Sequence, residues 1–279
     1  MMGMSEIVSS SGTRGRRTNA LRSRRALVAV WLTTLVAGAG GVSGEDCFNP
    51  EDYMRRVGSV DTPDIAFGVA VAGSYAYVAD GWSGLQVIDV SNPLTPAIVG
   101  SVDTPGMAFG VAVNGTYAYV ADTFSGLQVI DVSNPRTPVI VGSLATLDDA
   151  QGVAVAGSYA HVADGSSGLQ VIDVSNPLTP AIVGSVDTPG TASGVVVTGS
   201  YAYVADYLSG LQVIELSNPT SLHLVGSADT PGQARRLAVS GSYAYVADGS
   251  SGLQVIDISN PLMPAIVGSV DTPGYSALD

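Results

Sequence analysis

Apolar and polar positions alternate in short blocks along most of this chain. One cycle reads GVAVAG (Gly68 to Gly73), a Gly-Ser break, then YAYVAD (Tyr75 to Asp80) and a second break at Asp80-Gly81-Trp82-Ser83-Gly84. GLQVIDV (Gly84 to Val90) follows, then a break at Ser91-Asn92-Pro93, then PAIVGSV (Pro96 to Val102). Val, Ile and Tyr fill the runs while Gly, Pro, Asn, Asp and Ser fill the breaks, so each run predicts a strand and each break a turn. Strict alternation is weak within the runs because both faces are apolar, which predicts strands covered on both sides. No run beyond the N-terminal segment has the length or period of a helix.

The cycle repeats without insertion or deletion. Tyr75, Tyr117, Tyr159, Tyr201 and Tyr243 open the YAYVAD-type runs at a constant interval of 42 residues, and Ser59, Ser101, Ser143, Ser185, Ser227 and Ser269 keep the same spacing. Four-stranded units of this length, apolar on both faces, predict an all-β protein: a β-propeller of five four-stranded blades, or an incomplete larger propeller. A β-solenoid is the second architecture, but its usual coil is shorter. A blade cannot bury two faces alone, so the copied residues are those that mate with identical neighbours. The predicted blades cover about 68–103, 110–145, 152–187, 194–229 and 236–271, within a repeat domain of 54–279.

GLQVIDVS followed by Asn-Pro and preceded by YAYVAD resembles the LVIVD repeat of bacterial and archaeal surface proteins. The resemblance runs from about Arg55 to Thr272. It implies a propeller fold and export, and adds little on activity. Counting strands leaves a remainder. Arg55-Arg56-Val57-Gly58-Ser59-Val60 aligns with Ala97 to Val102 and so reads as a lone fourth strand before the first full unit. A five-bladed ring with a spare strand, a truncated larger propeller, and closure by two chains are all consistent with that remainder. An open ring would expose blade faces and strand edges that promote self-association.

Charge divides the chain. Six of its eleven Arg lie between Arg14 and Arg25, there is no Lys, and from Glu45 onward five Arg face 23 Asp and Glu. So acidic a surface argues against nucleic acid and anionic lipid as partners. The first 44 residues run from that basic stretch through ALVAVWLTTLVAGAG (Ala26 to Gly40) to small residues ahead of Glu45, the order of a secretory signal. The apolar run is short for a membrane span, which needs about 20 residues. Residues 1–44 are therefore read as a signal peptide, with an uncleaved N-terminal anchor as the alternative and the only membrane attachment expected. Residues 45–53 form a short N-terminal segment. The expected location is extracellular, periplasmic or cell-surface. Cys47 is the single cysteine, so no intrachain disulfide is available.

The five copies differ mainly in two turns, the stretch after each Asp-Thr-Pro and the pair after each YAYVAD-type Asp. Antiparallel order puts both on one rim of the ring. That rim holds Phe67, Phe109, Trp82 and Phe124, with Met107, Tyr207, Asp149, Gln151, Arg235 and Arg236. Aromatics with scattered polar groups suit carbohydrate or protein contacts, which predicts a surface glycan or an envelope protein as partner. Phe67 and Phe109 also suit a packing role near the axis. Trp82, Phe124 and Tyr207, flanked by turn residues, are the stronger contact candidates.

Candidate chemistry is sparse. Asp80, Asp122, Asp164, Asp206 and Asp248 recur beside Gly and Ser, where a carboxylate ordinarily accepts hydrogen bonds from turn amides. Calcium would suit such oxygens, but a calcium loop gathers several ligands within about a dozen residues and each turn here supplies one. No metal, cofactor or catalytic residue is expected. His161 takes the place of a repeat Tyr, and His223 lies in the degenerate stretch after Pro219. A glycoside-cleaving enzyme using rim carboxylates such as Asp64, Asp148 and Asp149 is the alternative, and a structural fragment of a larger surface protein is the third reading.

Overall fold

The structure, a computed structural model, describes residues 56–272. The expectations for 1–44, 45–53, Cys47, Arg55 and 273–279 lie outside the described residues. Among the described residues, twenty strands form five four-stranded antiparallel sheets, each in simple meander order. Blade 1 holds β1 (Gly68–Ala72), β2 (Tyr75–Ala79), β3 (Leu85–Asp89) and β4 (Ala97–Val102). Blade 2 holds β5 (Gly110–Asn114), β6 (Tyr117–Ala121), β7 (Leu127–Asp131) and β8 (Val139–Leu144). Blade 3 holds β9 (Ala150–Ala156), β10 (Tyr159–Asp164), β11 (Leu169–Asp173) and β12 (Ala181–Val186). Blade 4 holds β13 (Gly194–Thr198), β14 (Tyr201–Ala205), β15 (Leu211–Glu215) and β16 (His223–Ala228). Blade 5 holds β17 (Arg236–Ser240), β18 (Tyr243–Ala247), β19 (Leu253–Asp257) and β20 (Ala265–Val270). The fold is a β-propeller, with β1, β5, β9, β13 and β17 side by side as the inner strands.

The core lies between blades rather than within them. One face of blade 1 presents Tyr77, Ala79, Leu85 and Val87 to Ala118, Val120, Ile130 and Val132 of blade 2. The same residue types meet between blades 2 and 3, 3 and 4, and 4 and 5. Coverage on both sides holds for the second and third strands, which are buried almost throughout in blades 1 to 4; the first and fourth strands are only half-covered. Every third-to-fourth strand pair carries a bulge. In blade 1 Val87 faces Gly100 and Ile88 faces Ile98, leaving Val99 extra, and the other four blades repeat this.

The constant turns are hydrogen-bond motifs written in the sequence. Asp89 Oδ1 accepts the Ser91 N–H at 2.9 Å and Asn92 Oδ1 accepts the Leu94 N–H at 3.1 Å. The matching Asp-Ser bond recurs at Asp131, Asp173 and Asp257. Hydrogen bonds from the Ser hydroxyl and N–H, the hydroxyl foremost at Asp89 and the N–H foremost at the other three, hold the four Asp carboxyls below the usual carboxylate range. The buried Gln of GLQVID has a comparable local reason: Gln86 Nε2 donates to the Ser83 carbonyl at 2.7 Å, as Gln128 Nε2 does to Ser125 at 2.9 Å.

Candidate functional site

The variable rim is assembled by one repeated device. The Asp that closes each second strand is fully buried: Asp80, Asp122, Asp164, Asp206 and Asp248. In blade 2, Thr104 Oγ1 donates to Asp122 Oδ1 at 2.6 Å and the Gly106 N–H donates to Oδ2 at 2.8 Å. Asp206 and Asp248 bind Thr188 with Gly190 and Thr230 with Gly232 in the same way. In blades 1 and 3 the chain instead places Asp64 and Asp148 at the position of that Gly, and their N–H groups donate to Asp80 and Asp164. Burial pushes Asp122, Asp164, Asp206 and Asp248 above the ordinary carboxylate range, against the hydrogen bonds they receive. These five side chains are thus committed to pinning the loop that leads into each blade.

Asp64 and Asp148 have a second task. Asp64 Oδ2 accepts the Trp82 N–H at 2.8 Å, and Asp148 Oδ2 accepts the Ser166 N–H at 2.7 Å and the Ser166 hydroxyl. The turn residue before each is Gly81 or Gly165, both with positive φ, and a Cβ on either would lie 2.7 Å from the capping carboxylate oxygen. Where the lead-in residue is Gly106 or Gly190, the same turn position is free to carry Thr123 (φ 43°) or Tyr207 (φ 50°). So a lead-in Asp goes with a turn Gly in blades 1 and 3, while a lead-in Gly goes with Thr123, Tyr207 or, in blade 5, Gly249. Isolated bridges then tie each turn to the next blade's lead-in loop: Gly81 with Ala108, Thr123 with Ala150, Gly165 with Ala192, Tyr207 with Ala234.

The structure divides the candidate residues into three groups. Trp82 and Phe124 stand on adjacent blades, each 62% exposed, with ring centroids 6.2 Å apart and planes tilted by 46°. Phe67 and Phe109 stack near the axis at 4.3 Å, with planes 13° apart, and the Arg236 guanidinium lies 5.3 Å from the Phe109 centroid. Arg236 also donates to the Ser193 carbonyl at 2.6 Å. Phe67, Gln151 and Arg236 line a cavity of about 680 Å³ that all five inner strands share and that extends over Tyr245, Ala247 and Leu253 of blade 5. The third group is Tyr207 with Arg235, whose guanidinium sits 5.5 Å from the ring centroid and donates to Gln233 Oε1 at 2.7 Å. Met107 is half-buried, its N–H donating to Thr123 Oγ1 at 3.2 Å, and Asp149 is exposed.

Sequence reasoning placed Arg236 on this rim without giving it a role. Its signal was legible: it replaces the Gly found at the start of the first strand in the other four units, Gly68, Gly110, Gly152 and Gly194. Those glycines let neighbouring inner strands approach closely; a Cβ on Gly68 would lie 2.9 Å from the Phe109 carbonyl oxygen and 3.2 Å from Gly110 Cα. His161 is buried in the Tyr place, and desolvation lowers its pKa to about 4. His223 is exposed and within 3.3 Å of the Ser221 hydroxyl. Among the described residues no group of three or more His, Cys, Asp or Glu is arranged to hold a metal ion.

The geometry defines a class: a propeller whose blades share one side-chain script, with one rim constant and the other diversified. The chain belongs to the LVIVD repeat family, whose sequence model matches residues 65–104, 105–146, 148–188, 189–230 and 231–272. No curated protein matches it. Among solved structures it is similar to the computationally designed Ika8 protein (TM-score 0.61, 10% identity), covering 77% of this chain and 64% of that one. It is also similar to a functionally unknown protein from Desulfotomaculum acetoxidans DSM 771 (TM-score 0.67, 16% identity, 78% and 75% covered). BamB from Moraxella catarrhalis is a third (TM-score 0.54, 14% identity, 76% and 63% covered). At these identities the likeness concerns the fold alone.

Proposed function

We propose that this protein is a non-enzymatic binding scaffold, exported from the cytoplasm, that engages a surface glycan or an envelope protein through its variable rim. The observation that carries the reading is the Trp82–Phe124 pair. Two large aromatic rings stand mostly in solvent on neighbouring blades, where three of the five copies carry Ser166, Leu208 or Ser250. Their tilt leaves ring surface open toward solvent instead of closing the two rings on each other. Their turns are held by hydrogen bonds and inter-blade bridges, so little ordering entropy opposes binding. Exposed aromatics on a rigid frame supply contact area at low entropic cost. Tyr207 with Arg235 extends the same rim by an aromatic and a cation. The basic-then-apolar N-terminal sequence supports export, and the acidic repeat domain supports a partner that is not a polyanion.

The test is binding of the protein to a polysaccharide panel and to envelope extracts, beside a Trp82→Ala/Phe124→Ala double variant. Saturable binding that weakens at least tenfold in a variant with unchanged circular dichroism is expected. Equal binding by both proteins, or none by the parent, would overturn the reading.

A further inference from the structure

The asparagines among the described residues fall into two chemical kinds. Asn92, Asn134, Asn176, Asn218 and Asn260 each precede a proline. Proline carries no N–H, so the backbone nitrogen that follows these side chains has no proton to lose and cannot attack them. Asn114 is the exception and precedes Gly115. The other four units carry Ala72, Ala156, Thr198 or Ser240 at its position, so the Asn-Gly pair belongs to blade 2 alone. An asparagine side chain is a thermally labile amide, and a following glycine offers the least hindered nitrogen of any residue because it has no Cβ.

The fold leaves this pair open. Asn114 ends β5 and faces Tyr117 of β6, so Gly115 and Thr116 make up the whole turn. Gly115 has a φ of 61°, and in a two-residue hairpin turn of this kind the first turn residue lies outside the ladder. Among the described residues its N–H donates to no backbone carbonyl. Asn114, Gly115 and Thr116 are all exposed, and a Cβ on Gly115 would meet nothing within 4 Å. Neither a side chain nor a neighbouring element therefore screens the nitrogen. Asn114 Nδ2 donates to the Gly157 carbonyl in the matching turn of blade 3, at 3.2 Å. That bond ties two neighbouring turns of the constant rim, but it lies in solvent, where water readily takes its place.

We propose that Asn114 is a self-modification site, where water converts the asparagine to aspartate or isoaspartate and uncouples the turns of blades 2 and 3. The Gly115 nitrogen bonds to the side-chain carbonyl carbon of Asn114, and the bond from that carbon to Nδ2 breaks. Nδ2 leaves as ammonia, taking up the proton that Gly115 loses. Water then opens the resulting succinimide ring at one of its two carbonyls, giving aspartate or isoaspartate. One water is consumed and one ammonia released, with no oxidation or reduction. Either product has a carboxylate in place of the Nδ2 donor, and a carboxylate cannot bond the Gly157 carbonyl. Isoaspartate also adds one carbon to the main chain beside a two-residue turn, where the pairing of β5 with β6 has no slack.

The test incubates the full chain in mildly alkaline buffer, native and in urea. Peptide mass spectrometry follows the change from amide to acid, and enzymatic methylation reports isoaspartate. The native chain is expected to convert at Asn114 while the five Asn-Pro turns stay unchanged. Asn114→Ala, which installs the residue of blades 1 and 3, is expected to abolish the methyl label from this turn. Gly115→Ala is expected to slow conversion at least tenfold, because its methyl crowds the attacking nitrogen. Converted protein is expected to exchange the amides of β5 and β6 faster than fresh protein. Asn114 persisting in the native chain while the urea-unfolded chain converts would show that the turn forbids the attack and overturn the proposal. Equal rates in Gly115→Ala, or unchanged exchange after conversion, would overturn it too.

Discussion

Single residues carry two opposite pH signatures. His161 is neutral in the fold because burial disfavours its charged form, lowering its pKa from 6.5 to about 4. Above about pH 6.5 neither the folded nor the unfolded chain protonates it. Between about 6.5 and about 4 the unfolded chain binds the proton and the folded one does not, so stability falls as pH falls, by about 3 kcal/mol in total. His161→Tyr restores the repeat residue and is expected to remove that loss, read as the difference between urea unfolding curves at pH 7 and pH 4.5. The buried Asp122, Asp164, Asp206 and Asp248 act in the reverse direction. Their raised pKa means that ionisation costs stability at neutral pH, and the cost disappears as pH falls through the raised value. Asp122→Ala should nonetheless destabilise the protein at pH 7, by about 3 kcal/mol, because it orphans the Thr104 hydroxyl and the Gly106 N–H. Equilibrium unfolding checks it.

Elements are joined by turns whose glycines look alike in sequence but not in space. Gly115 and Gly126 have φ of 61° and 71°, so each residue favours the absence of a side chain. Around Gly115 there is open space, whereas a Cβ on Gly126 would run into the backbone of Leu144 and Thr146. Gly115→Ala is expected to cost about 1 kcal/mol, the left-handed penalty alone. Gly126→Ala is expected to cost about 3 kcal/mol or more, since backbone must move as well. Urea midpoints of the two variants, compared at equal m-value, separate the outcomes. The strands and most turns were legible because local hydrogen-bond motifs and residue type determine them. The bulge at Val99 and its equivalents was not, because a bulge is a relation between two strands and leaves no mark in either alone.

In the whole molecule, stability is shared between neighbours, as in any repeat array. Blades 2, 3 and 4 are flanked on both faces, while blade 5 has a described neighbour only on the blade 4 side. Amide hydrogen exchange should therefore be markedly faster in β18 and β19 than in β10 and β11, although YA-VAD and LQVID recur in both. Equal protection across the five blades would show that the last face is covered in solution. The acidic balance of the repeat domain belongs to this scale too: it bears on which partners approach, not on how the blades pack.

By itself the sequence determined the repeat, its strand count, the constant turns and the division into a constant and a varied rim. These are local or periodic properties, and five near-identical copies state them repeatedly. Only the tertiary structure decided which candidates meet. Phe67 and Phe109 stack with Arg236 near the axis, and Trp82 and Phe124 form a separate exposed pair. Asp64 and Asp148, which read as non-repeated rim carboxylates, accept hydrogen bonds from the Trp82 and Ser166 turns. The physical reason is distance along the chain. Each of these contacts joins residues 18 or more positions apart, some from loop to turn within one blade and others from blade to blade, and no periodic pattern specifies which way a non-repeated side chain will face.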